Sequence, residues 1–105
     1  MDYNIRLENA KCYIKDQLSQ EELLAQLAEE ASELTHAALK LRRALDGTNP
    51  TPVDFPTAYS AIREEVADVA LLVRLLGLDI EPVELVGIMD CKLLRWQRRL
   101  IEAEQ

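Results

Sequence analysis

The chain has 105 residues, with 19 Asp and Glu against 12 Lys and Arg, a formal net charge of −7. A chain this short makes one domain and buries only about two-thirds of its unfolded surface, so an oligomer is expected. The acidic balance excludes a nucleic-acid backbone or an anionic membrane as the main partner, because both attract basic surfaces.

Aromatic residues make up only 5% of the chain, and Leu and Ala dominate, which favours helix over strand and predicts an all-α fold. The first segment, "YNIRLENAKCYIKDQL", carries Ile5, Leu7, Cys12, Tyr13 and Ile14 at irregular helical spacing. It predicts a short helix lying on a longer one. In "SQEELLAQLAEEASELTHAALKLRRALDG", Ser19 and Glu22 have capping-box spacing and Gly47 follows the last Leu, bounding a helix of about seven turns. "GTNPTPVDFP" holds three of the four prolines and predicts a loop. Thr57 is the expected cap of a third helix over 58–76, ended by Gly77. Asp79 is the expected cap of a fourth, with Pro82 in its first turn and "CKLLRWQRRLIEAE" near its end. Cys12 and Cys91 lack ligand spacing, and neither a secretory signal nor an 18-residue apolar span is visible. A cytoplasmic protein with reduced thiols is therefore expected.

Two helices repeat one acidic pattern. "EEASE" covers residues 29–33 and "EEVAD" residues 64–68. At about 100° per residue, Leu24, Leu27, Ala31, Leu34, Ala38, Leu41 and Leu45 form the expected core line of the second helix. Tyr59, Ile62, Val66, Val69, Val73 and Leu76 form that of the third. Glu30 and Glu65 each fall about 60° from their line, and Glu33 and Asp68 about 120° on the same side. If the helices run antiparallel, four carboxylates converge at the rim of the core. Like charges about 4 Å apart in a partly buried site repel by roughly 4 kcal/mol a pair. A cluster of that kind needs a cation, raised pKa values or separation. Hard oxygen ligands without sulfur or imidazole suit Mg²⁺ or Mn²⁺. The plainer alternative is a solvated acidic face on two good helix formers.

"EEASE" followed by "EVAD" (65–68) resembles the EExxE and ExxD motifs of MazG-like, all-α nucleoside triphosphate pyrophosphohydrolases, over about residues 23–99. The resemblance implies a four-helix MazG-like bundle forming a homodimer or homotetramer, with Mg²⁺-dependent cleavage of (deoxy)nucleoside triphosphates to monophosphate and pyrophosphate. It also implies Glu30, Glu33, Glu65 and Asp68 as metal ligands and Glu29 as an outer acid, Glu29 or Glu30 orienting the attacking water. The family's K-x-x-x-N-x-x-R segment is matched by Lys92 and Arg99, with Trp96 where Asn is common. Lys92, Arg95 and Arg99 share a helical stripe suited to phosphates, and Trp96 is a candidate base-stacking ring or a core residue. Asn9, Gln26 and Tyr59 are weaker nucleotide candidates, and Lys40, Arg42 and Arg43 either serve the phosphates or end the second helix. Leu71 and Leu75 lie away from the third helix's core line, which points to a second subunit.

Two other readings compete. An acidic helical module that only dimerises accounts for the leucines. A di-iron carboxylate bundle is suggested by the E-x-x-H of Glu33 to His36, although such sites use two such pairs and the chain has one His.

Overall fold

A computed structural model describes residues 2–48 and 54–105. Four helices follow one another: α1 (Tyr3–Gln17), α2 (Gln20–Asp46), α3 (Phe55–Leu75) and α4 (Pro82–Ala103). No strand occurs among the described residues, so the chain is all-α. None of the described helices is long and apolar enough to cross a membrane.

The helix ends follow from local chemistry. Ser19 Oγ accepts the Glu22 N–H at 3.0 Å, half of the expected capping box. Gly47 closes α2 at φ 73°, a left-handed conformation that costs a side-chain-bearing residue energy. The α3 terminus is a Schellman turn: Leu78 N–H donates to the Val73 carbonyl and Gly77 N–H to that of Arg74, with Gly77 at φ 68°. Two expected caps are corrected. α3 starts at Phe55 behind Asp54 rather than behind Thr57, because Pro56 fits a first turn and needs no N–H partner there. α4 is capped by Glu81, which accepts the Glu84 N–H, and not by Asp79. Residues 49–53 of the expected proline-rich loop lie outside the described residues.

α2 and α3 form the packed unit. Leu23, near the start of α2, clusters with Leu72 and Leu75 at the end of α3, so the helices run antiparallel. Ile14 of α1 packs on this cluster, whereas Ile5, Leu7 and Tyr13 are exposed. α1 therefore touches the longer helices mainly through its last turns. α4 makes no comparable contact with any helix.

The expected core lines need rotating. On α2 the buried and half-buried residues are Leu23, Leu27, Glu30, Leu34, Ala37, Leu41 and Ala44, alternating steps of four and three. On α3 the matching series is Ala58, Ile62, Glu65, Val69, Leu72 and Leu76, with Val73 and Leu75 beside it; Leu75, expected to face away from the core, is buried in it, and of that expected pair Leu71 alone is exposed. Leu24, Leu45, Tyr59 and Val66 of the expected lines are 46%, 67%, 47% and 53% exposed. The seam has turned towards the acids. Glu30 and Glu65 therefore occupy seam positions that heptad packing ordinarily gives to Leu or Ile.

Candidate metal centre

The register that pairs Leu23 with Leu72 brings Glu30 to Glu65, since a step of seven forward on α2 matches seven back on α3. One carboxylate oxygen from each of Glu30, Glu33 and Glu65 lies within 4.8 Å of the others. Glu30 and Glu65 are half-buried and Glu33 is exposed. Three residues after each seam glutamate the chain has turned about 60° to one side, carrying Glu33 and Asp68 to the same edge of the antiparallel pair. Asp68 is close enough for its charge to act on both Glu33 and Glu65. Glu29 acts on Glu33 from the outer surface of α2.

The cluster is short of counter-charge. The ion pairs among the described residues are Lys11–Glu8, Arg42–Asp46 and Arg98–Glu102, none of which touches these acids. Gln26 donates to Glu30 Oε1 at 3.1 Å. Gln26, a sequence candidate for nucleotide contact, is thus one turn away on the same helix and orients Glu30. The other oxygen, Glu30 Oε2, and Glu65 Oε2 are buried atoms without a hydrogen-bond partner. A buried carboxylate oxygen with no donor is costly unless it is protonated or meets a cation. The charge of Glu30 first, then desolvation, hold the Glu33 carboxyl above its ordinary range. Desolvation first, then the charges of Glu33, Asp68 and Glu30, do the same to Glu65.

No family model, curated protein or solved structure matches this chain. What the site can hold follows from its own geometry. Two oxygens bound to one Mg²⁺ at about 2.1 Å lie at most about 4.2 Å apart. A cluster spanning 4.8 Å reaches that spacing with small side-chain rotations. The all-oxygen donor set and the two orphaned buried oxygens fit a hard divalent cation.

The basic candidates stand elsewhere. Lys92 and Arg95 line a shallow recess on α4 with Glu84, Gly87, Ile88 and Cys91. Trp96 is 64% exposed and lines a second recess with Leu93, Gln97, Leu100 and Ile101. Arg99 shares the exposed surface of α4. Within one chain, then, the acids of α2 and α3 come together and the α4 residues do not join them. His36 is exposed on α2.

The raised carboxyls set a pH dependence. The folded state binds these protons more tightly than the unfolded state, so their stabilising contribution is full below the ordinary glutamate value of 4.5. It is lost as pH rises through the higher folded values. Asp46 works the other way: two hydrogen bonds from Thr48 hold it below 3.8, so its contribution is lost only at more acid pH. Metal-free protein is therefore expected to melt at higher temperature as pH falls from 7 towards 4.5. A Glu33→Gln, Glu65→Gln double variant should show a flattened profile in chelator-treated thermal melts. An unchanged slope would contradict the assignment.

Proposed function

We propose that this chain is a MazG-like nucleoside triphosphate pyrophosphohydrolase that uses Mg²⁺, or Mn²⁺, to cleave (deoxy)nucleoside triphosphates to the monophosphate and pyrophosphate, consistent with nucleotide-pool housekeeping. The observation that carries the reading is the placement of Glu30 and Glu65 opposite each other in an otherwise apolar seam, each with a buried oxygen lacking a partner. Half-buried acids there cost stability at neutral pH unless a cation or a proton meets them. The order of the two motifs along the chain agrees with the family resemblance.

In this reading Glu30, Glu33, Glu65 and Asp68 hold the cation. When bound, it supplies charge neutralisation for the phosphates and lowers the pKa of a coordinated water. Gln26 fixes the Glu30 carboxylate, so that one oxygen is committed to the helix and the other faces the site. Glu29, exposed on α2 one turn from Glu33, would orient a water at the cluster and take its proton; Glu30 is the other acid for that role. Glu33 and Asp68 are exposed to solvent, and a polyphosphate would approach from that edge. Lys92, Arg95 and Arg99 would neutralise phosphate charge beyond what a divalent ion cancels, and Trp96 would lie against the base. Because α4 stands away from the acids in the single chain, those contacts require a homodimer or homotetramer in which α4 reaches a neighbouring site.

A non-enzymatic dimerisation module would explain the exposed leucines but gives no reason for two seam glutamates. The reading is tested by incubating the purified chain with a panel of nucleoside and deoxynucleoside triphosphates, with and without Mg²⁺, and identifying products. The expected result is Mg²⁺-dependent release of monophosphate and pyrophosphate in equal amounts from at least one nucleotide. Diphosphate plus inorganic phosphate, or no turnover across the panel, would contradict it.

A further inference from the structure

α1 stands off α3, and its sequence says why. Asn4, Leu7, Lys11 and Ile14 fall at steps of three and four on one face of α1, and that face borders the last turns of α3. Ile14 packs on the cluster of Leu23, Leu72 and Leu75. Asn4 and Lys11 hold the rest of the face open, because burying an amide or an ammonium among leucines without partners costs more than the contact returns. The result is a cleft of about 440 Å³, a volume ordinary for small-molecule sites.

The floor and sides of the cleft are aliphatic: Leu7, Ala10 and Ile14 of α1 against Leu71 and Leu75 of α3. Leu75 is 6% exposed at the floor, whereas Leu7 and Leu71 are 46% and 51% exposed at the sides. No aromatic ring among the described residues lines it, so nothing there stacks on a flat ring. The two helices meet at Ile14, which closes one end. A partner helix, about 10 Å across, needs a groove open along its length. The polar lining residues, Asn4, Glu8, Lys11 and Arg74, are all exposed and form the rim. Lys11 Nζ lies 3.0 Å from Glu8 Oε1, so those two charges cancel. Arg74 belongs to none of the ion pairs among the described residues. One uncancelled guanidinium beside an aliphatic cavity, in a chain of net charge −7, selects an anion with an apolar body. Paired guanidinium N–H groups suit carboxylate and phosphate alike.

We propose that the cleft between α1 and α3 binds a single-chain amphiphile: an unbranched aliphatic chain lying among Leu7, Ile14, Leu71 and Leu75, with one carboxylate or phosphate head on Arg74. The chain covers the leucines that α1 leaves open, and the head supplies the charge that Arg74 lacks. The cleft shares no residue with the carboxylate cluster. The inference rests on the lining of this cleft and not on what the carboxylates bind.

The test is a calorimetric titration of the full chain in chelator, so that a phosphate head has no cation to meet at the carboxylates. The probes are octanoate, octyl phosphate and octanol below micelle-forming concentrations, and inorganic phosphate. Saturable binding of octanoate or octyl phosphate is expected, at least about tenfold tighter than octanol, with no binding of phosphate alone. The tighter of the two anions names the head. Arg74→Gln should bring both anions down to the affinity of octanol, and Leu71→Glu should abolish binding. Both positions are exposed, and circular dichroism checks that the helices remain. Where a variant loses helicity, the amide chemical shifts of wild type read the same site, moving at Leu7, Ile14, Leu71 and Leu75 as the anion is added. Leu93→Glu, in the exposed apolar stripe of α4 formed by Val86, Met89, Leu93, Trp96 and Leu100, should change nothing. No saturable binding, equal binding of octanol, full affinity in Arg74→Gln, or loss of binding in Leu93→Glu would each overturn the proposal. So would a Leu71→Glu protein of lower mass than wild type in light scattering, which would place a second copy in the cleft.

Discussion

Replacing Glu30 with Leu is expected to make the metal-free protein more stable and to abolish its activity. Glu30 sits between Leu27 and Leu34 on the half-buried line of α2, facing Glu65. Leucine at that heptad position completes an apolar seam. It also removes the charge that most strongly raises Glu33 and one of those acting on Glu65. In chelator the melting temperature should rise by several degrees. Active sites commonly carry such a cost, and removing it commonly costs function. With excess Mg²⁺ the order should reverse, because wild type gains stability from a ligand that binds only its folded state. Loss of groups that merely support a metal ligand costs 10–100-fold in affinity or activity, so loss of a ligand should lower pyrophosphate release by at least about a hundredfold. Paired melts in chelator and in Mg²⁺ check both halves. A Glu30→Leu protein less stable than wild type in chelator would mean that the glutamate belongs to the packing itself.

Leu72→Ala is expected to bring the protein close to unfolding. Leu72 is 7% exposed and joins Leu23 and Leu75 in the cluster that fastens α2, α3 and, through Ile14, α1. Truncating a buried leucine costs about 2–5 kcal/mol, against a typical total of 5–15 kcal/mol. A loss near 3 kcal/mol lowers the melting temperature by roughly 15 °C in a domain of about this size. Leu71, its neighbour, is 51% exposed, and Leu71→Ala should cost a fraction of that. Thermal denaturation of the two variants side by side decides it, and equal losses would contradict the placement of the core.

The helices were legible because their ends are written in local chemistry. Ser19, Gly47, Gly77 and Pro82 act through neighbouring backbone groups, and each stands at or beside a helix end as its type demands. The phase of the core was less legible. Rotation arithmetic favours the most apolar line, which on α2 runs through Leu24, Ala31, Ala38 and Leu45. The structure instead buries the line through Leu23, Glu30, Ala37 and Ala44. Both lines share Leu27, Leu34 and Leu41, and their centres differ by about 50°, half of one residue's rotation. A single sequence does not say which apolar line meets the chain's own neighbour and which is left for another surface. The convergence of Glu30, Glu33 and Glu65 was visible in outline, since matched phases on antiparallel helices bring equivalent residues to one edge. That Glu30 and Glu65 lie in the seam itself, with an oxygen apiece orphaned, was not visible, because it depends on the phase. The position of α4 was out of reach for a related reason: its apolar stripe finds no cover within the chain.

The central claim is that these carboxylates hold a divalent cation, and a calorimetric titration of chelator-treated protein with Mn²⁺ tests it most directly. Wild type should bind with saturation, and Glu30→Leu should show no binding heat while keeping its helical circular dichroism. Wild type that fails to bind, or a Glu30→Leu variant that binds as tightly, would contradict the account.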